Sequence, residues 1–211
     1  MKWLLQKGWG NNMKRKSNMK VTAQVLLVCL ALLLMISVQS AASREVAGVL
    51  LPESVISESE PLVLNGAGLR KKFFIKVYVG ALYLPAKVTT VKQILDDPGA
   101  KRIVMSFLHK EVSTEKLVDA WNEGFAGNSS AKEMKSLQDR INQFNSMFTT
   151  VHKGDEIRLD YLPGEGTKVS LNGTLKGSVP GEDFSRALLK IWLGSKPADE
   201  KLKEAMLGNS Y

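Results

Sequence analysis

The chain has 211 residues, with 29 Lys and Arg against 21 Asp and Glu, and a sequence pI near 9.5. Six of the basic residues (Lys2, Lys7, Lys14, Arg15, Lys16, Lys20) and no acidic ones precede Ser43, so the rest of the chain carries 23 basic against 21 acidic side chains. So even a balance lacks the basic footprint that a phosphate backbone demands, and no nucleic-acid partner is expected.

The N-terminal excess has the pattern of a secretory signal. Lys14-Arg15-Lys16 and Lys20 precede an apolar run, Val25 to Val38, and small residues follow at Ser40-Ala41-Ala42. The run is 14 residues long, short of the roughly 20 needed to span a bilayer as a helix. Residues 1–42 are therefore expected to be a signal peptide cleaved near Ala42, with Met13 or Met19 as alternative starts. Residues 43–211 then form one exported, periplasmic domain that meets the membrane only through the signal segment. The single cysteine, Cys29, lies inside the apolar run behind Val28, without the small residue of a lipoprotein signal. It leaves with the signal, so the domain must stand on its packed core without a disulfide.

In chain order, residues 46–64 predict an N-terminal strand or hairpin, its apolar positions from Val46 to Ile56 interrupted by Pro52. Asn65-Gly66-Ala67-Gly68-Leu69-Arg70 follows, then a long strand over Phe73–Leu84. Every second residue from Phe73 to Tyr83 is apolar, while the other face carries Lys76 and Tyr78. A short helix near 89–96 leads to an apolar strand over Arg102–Leu108. Ser113 is a plausible N-cap for a helix through Phe125, and a second helix is expected over about 131–148. Ile157, Leu159 and Tyr161 alternate with Glu156, Arg158 and Asp160, as in a sheet with one wet face. Two further strands follow, joined at Asn172-Gly173, a hairpin signal. Phe184, Ala187, Leu188, Ile191 and Trp192 line one side of a helix stopped by Gly194, and a last helix ends at Gly208. The pattern is α+β: a large antiparallel sheet with helices on one face.

Most catalytic chemistry is missing. His109 and His152 are the only histidines, too few for the usual zinc sites, and no metal or cofactor is expected. There is no nucleophile elbow and no P-loop, and Gly66-Ala67-Gly68 lacks the third glycine of a dinucleotide site. One local feature stands out. Gly66 to Arg70 enters the strand that carries Tyr78. It reads either as a glycine turn followed by a solvated basic cluster (Arg70, Lys71, Lys72) or as the edge of a binding site.

Asn65–Arg70, Lys72–Leu84 and Phe107–Val112 leading into Glu115-Lys116-Leu117 resemble the chalcone isomerase superfamily. Lys153-Gly154-Asp155, Asp160–Gly164, Asn172-Gly173 and Ile191–Gly194 are similar to its exported bacterial branch. The resemblance spans 46–208. It implies an open-faced β-sandwich in which a large antiparallel sheet holds a cleft against a layer of helices. It also implies that Arg70 faces the ligand and that Tyr78 matches a strand hydroxyl where plant enzymes have threonine. The family's catalytic and fatty-acid-binding members also place a tyrosine on the helices, and no tyrosine occurs here between Tyr83 and Tyr161. A missing oxyanion donor typically costs about 10²–10³ in rate, so the resemblance leans away from an enzyme. The expectation is a non-catalytic carrier of a small apolar carboxylate such as a fatty acid, with Arg70 and Tyr78 as ligand-binding residues. The alternatives are an intramolecular lyase acting on a phenolic or enone substrate, and an envelope interaction module with a vestigial cleft.

Overall fold

The computed structural model describes residues 42–209; the expected signal segment, Cys29 and the alternative starts lie outside them. Strands β1 (Ser43–Val46) and β2 (Val49–Pro52) form a hairpin, followed by β3 (Ser54–Ser57), β4 (Glu60–Lys72) and β5 (Ile75–Leu84). After α1 (Val91–Asp96) come β6 (Lys101–Phe107), β7 (Glu111–Val112), α2 (Thr114–Asn128) and α3 (Ala131–Asn145). Then follow β8 (Val151–His152), β9 (Glu156–Leu162), β10 (Gly166–Leu171), β11 (Thr174–Val179), α4 (Glu182–Leu193) and α5 (Glu200–Met206). Seven strands make one antiparallel sheet in the order β11-β10-β9-β6-β5-β4-β3, and β7 pairs with β8 in a short ribbon. Among the described residues no helix is long and apolar enough to cross a membrane.

Local chemistry sets the boundaries. The Ser113 hydroxyl accepts the Lys116 amide at the start of α2, and Ser130 and Glu133 close a reciprocal capping box on α3. Asn172 and Gly173, at φ 50 and 75, turn β10 into β11 as their residue types favour. The helices bury their apolar sides on one face of the sheet, where Leu82, Met105, Phe125, Phe144, Ile157 and Trp192 form the main core. A second core covers the opposite face, built from Leu51, Leu62, Leu64, Val79, Ala81 and Tyr83. Among the described residues both cores are built from positions between Val46 and Leu207, and Ala41–Tyr211 forms a compact unit of its own.

Three expectations are corrected. Gly66 and Gly68 make no turn; they lie within β4. Phe73 and Phe74 are not strand residues but the two-residue tip joining β4 to β5, and from Val77 onward both faces of β5 are buried. The outer face of the meander is not wet at Asp160, which is 9% exposed and accepts two hydrogen bonds from the buried Arg102. The reason is curvature. The Ser57 hydroxyl at the end of edge strand β3 donates to Asp160 Oδ1 at 3.2 Å, and Lys168 on β10 reaches Glu58 at 2.8 Å. The sheet therefore curls over its own outer face.

Burial raises the pKa of Tyr78, Tyr83 and Tyr161, with Tyr83 pushed up to about 12. Between pH 10 and 12 an unfolded chain ionises at Tyr83 and the folded one does not. The unfolded state then binds fewer protons, so stability that is complete below pH 10 falls as the pH climbs through this window. Urea midpoints are expected to drop between those values, and Tyr83→Phe to flatten the drop; equal slopes for both proteins would remove Tyr83 as the cause.

Candidate ligand-binding site

The site begins with a close approach. A Cβ built on Gly66 would stand 2.0 Å from the Ala205 carbonyl oxygen, and one on Gly68 would meet the Ala205 methyl at 2.6 Å. Gly80, the cross-strand partner of Gly68, lies under Leu202 and Met206. The glycines thus let α5 lie directly on β4 and β5. Asn65, 4% exposed, holds it there: its side-chain amide donates to the Met206 carbonyl at 2.7 Å and to Val88 O at 2.9 Å, and its Oδ1 accepts the Val88 amide. Two residues beyond Gly68 on the same strand face comes Arg70.

Arg70 is half-buried and pairs across the sheet with Tyr78. Its guanidinium carbon lies 5.5 Å from the Tyr78 ring centroid, a cation–π contact. Its Nε is buried and has no hydrogen-bond partner among the described residues. Tyr78 is 4% exposed, and its hydroxyl accepts the Trp192 indole N–H at 2.9 Å. Burial raises the phenol's pKa, against the opposing pull of Arg70 and Trp192. The neutral phenol keeps its own proton to donate.

These groups border a small inner cavity of about 50 Å³, whose other walls include Met105, Phe107, Leu117 and Trp121. The Trp121 indole nitrogen is the second buried donor here without a partner among the described residues. Trp121 is 2% exposed and packed edge-on against Phe144 and Trp192, which fixes the plane of its ring. Arg70, Val77, Val112, Lys116 and Ala120 also line an outer cleft of about 410 Å³ that opens between the β4–β5 tip and α2. Its volume falls within the roughly 300–1,000 Å³ of ordinary small-molecule sites. Among the described residues no cluster of three or more His, Cys, Asp or Glu could hold a metal ion.

A family model described as chalcone isomerase-like matches residues 43–208. The chain belongs to the chalcone isomerase-like family. No curated protein sequence matches it. Among solved structures, a fatty-acid binding protein of Arabidopsis thaliana superposes with a TM-score of 0.60 at 20% identity, over 80% of this chain and 97% of that one. The curled antiparallel sheet with its helical layer is thus the chalcone isomerase-like fold.

Within that fold, sequence reasoning placed Arg70 and Tyr78 on neighbouring stretches, and the register of β4 and β5 brings them into contact. It missed Trp121 and Trp192. Both sit at helical spacing among core residues, and periodicity does not distinguish a satisfied indole from an unpartnered one.

Proposed function

We propose that the domain is a non-catalytic carrier of a small apolar carboxylate, of the fatty-acid type, exported to the periplasm after cleavage near Ala42. The observation that carries this reading is that Arg70 and Trp121, whose Nε and Nε1 are buried donors without a partner among the described residues, both line one small cavity. A buried polar group without a partner costs about 1–3 kcal/mol, and a carboxylate entering the cavity answers both, with the Tyr78 hydroxyl as a third donor. In this reading the Trp121 indole takes the part of the tyrosine that the helices lack. The tail then lies along the outer cleft, gaining about 0.8 kcal/mol per buried CH₂. Roughly ten methylenes offset the ~4–15 kcal/mol cost of association. The structural likeness to a fatty-acid binding protein supports the same class of ligand.

Turnover is less well supported. No carboxylate or imidazole lines the inner cavity to serve as a general base, those of His109, Glu111, Asp119 and Glu123 lying on the outer cleft, and burial holds the Tyr78 phenol neutral. Titration of the delipidated protein with a long-chain fatty acid, beside native mass spectrometry of the protein as purified, tests the carrier reading. Arg70→Ala is expected to weaken binding roughly 10- to 100-fold, as for a charged hydrogen bond. Trp121→Phe should cost less and leave the fold intact. Equal affinity in wild type and Arg70→Ala would sink the reading, and Arg70-dependent conversion of a chalcone would replace it with the isomerase.

A further inference from the structure

The tip of the β4–β5 hairpin is built against the rules of turns. Lys72 pairs with Ile75, leaving Phe73 and Phe74 as the two central residues. Phe73 sits at φ 56, a conformation that favours glycine or asparagine and that bulky side chains rarely adopt. Neither ring packs on the protein: Phe73 is 87% and Phe74 101% exposed, and Ile75 is 47% exposed. Folding buries little of these side chains, which leaves them free to meet a partner.

Their setting names the partner. Lys71, Lys72 and Lys76 flank the tip, all exposed, and among the described residues none of them forms an ion pair. No Asp or Glu occurs from Pro61 to Leu95. Two aromatic rings at the apex of a narrow ribbon, ringed by cations, suit an anionic lipid surface: the rings enter the headgroup boundary and the ammonium groups stay among the phosphates. A protein interface needs about 800 Å² from each partner, more than a two-residue apex presents. The tip also belongs to the site, because Lys72, Phe73 and Ile75 line the outer cleft, opposite Glu111, Asp119 and Glu123.

We propose that this hairpin tip docks the domain on an anionic bilayer, with Phe73 and Phe74 inserted and the cleft mouth facing the lipid. The membrane then has a role beyond the signal segment. The docking stands on the tip alone. Its consequence, an acyl chain passing between bilayer and cleft without crossing water, rests on the carrier reading above.

The test uses the chain from Ser43 onward, which removes the apolar run of the signal segment. Co-sedimentation is measured with vesicles of phosphatidylcholine alone and of phosphatidylcholine mixed equally with phosphatidylglycerol. The wild type should bind the mixed vesicles and release with salt. Phe73→Gly combined with Phe74→Ser, a change that suits the turn, should weaken binding about tenfold or more per ring. Each of Lys71→Gln, Lys72→Gln and Lys76→Gln should cost roughly fivefold. A polarity-sensitive label on Phe74→Cys should shift to the blue on mixed vesicles. No binding by wild type, equal binding by the double variant, or an unmoved label would overturn the proposal. Tip-dependent dimerisation in place of vesicle binding would also overturn it, making a second copy the partner. Intact vesicle binding without fatty-acid uptake would fault only the carrier reading. Fatty-acid uptake from solution without vesicle binding would fault only the docking.

Discussion

Gly66→Ala is expected to lower the melting temperature of the domain by roughly 10 °C, the equivalent of about 3 kcal/mol for a chain of this size. The new methyl would lie 2.0 Å from the Ala205 carbonyl oxygen, 2.8 Å from that of Met206 and 2.9 Å from the Gly208 amide. All three are backbone atoms, so no side chain can swing aside. Helix α5 would have to lift from β4, breaking the Asn65 hydrogen bond to Met206 and uncovering Leu202 and Met206, both under 2% exposed. Ala198, just before α5, lines the inner cavity, so the lift should weaken ligand binding too. Gly127→Ala offers the contrast. That residue is inside α2 with only Lys196 near, at 3.8 Å, and alanine there should stabilise by about 0.5–1 kcal/mol through helix propensity. Thermal denaturation of both variants decides the matter: a Gly66→Ala protein as stable as wild type would mean that α5 does not seat on β4 in this way.

The same glycines show where the sequence is ambiguous. Gly66-Ala67-Gly68 has the composition of a turn, and nothing local distinguishes a turn from a strand stripped of side chains for a close neighbour. The neighbour, α5, comes more than a hundred residues later. Phe73 and Phe74 mislead in the opposite direction, because they prolong the apolar alternation of β5 past the point where the chain reverses. The helices were easier. Ser113 caps α2 and Gly194 ends α4 as expected, and the 3.6-residue spacing of Leu117, Trp121 and Phe125 matches their burial.

The site was legible in part for the same reason. Arg70 and Tyr78 are close in sequence and on adjoining strands, so one hairpin register joins them. Trp121 approaches from a helix on the far side of the cleft, and its significance lies in a missing partner, which periodicity cannot register. The buried pair on the outer face was invisible too. Glu156, Arg158 and Asp160 alternate with apolar residues as solvated side chains do, and only the curl of the sheet covers Asp160.

That curl yields the second large effect. Asp160→Ala should cost about 3–5 kcal/mol, because it leaves the Arg102 guanidinium buried and alone. Arg102 is 7% exposed, and among the described residues its two side-chain hydrogen bonds both go to the carboxylate, the longer at 3.2 Å from Nη2. The Ser57 hydroxyl loses its acceptor in the same step, so the tie from edge strand β3 to β9 is cut at its buried end. Replacing both partners, Arg102→Met with Asp160→Leu, should recover most of that loss, since the cost of the single change is an unpaired charge rather than a missing attraction. Urea denaturation of the two single variants and the double completes the cycle. If Asp160→Ala proves as stable as wild type, water must reach Arg102, and the outer face is open rather than curled shut. If the double variant is no better than the singles, the pair does more than neutralise itself. It then sets the curvature that holds β4 and β5, and with them Arg70, against α2.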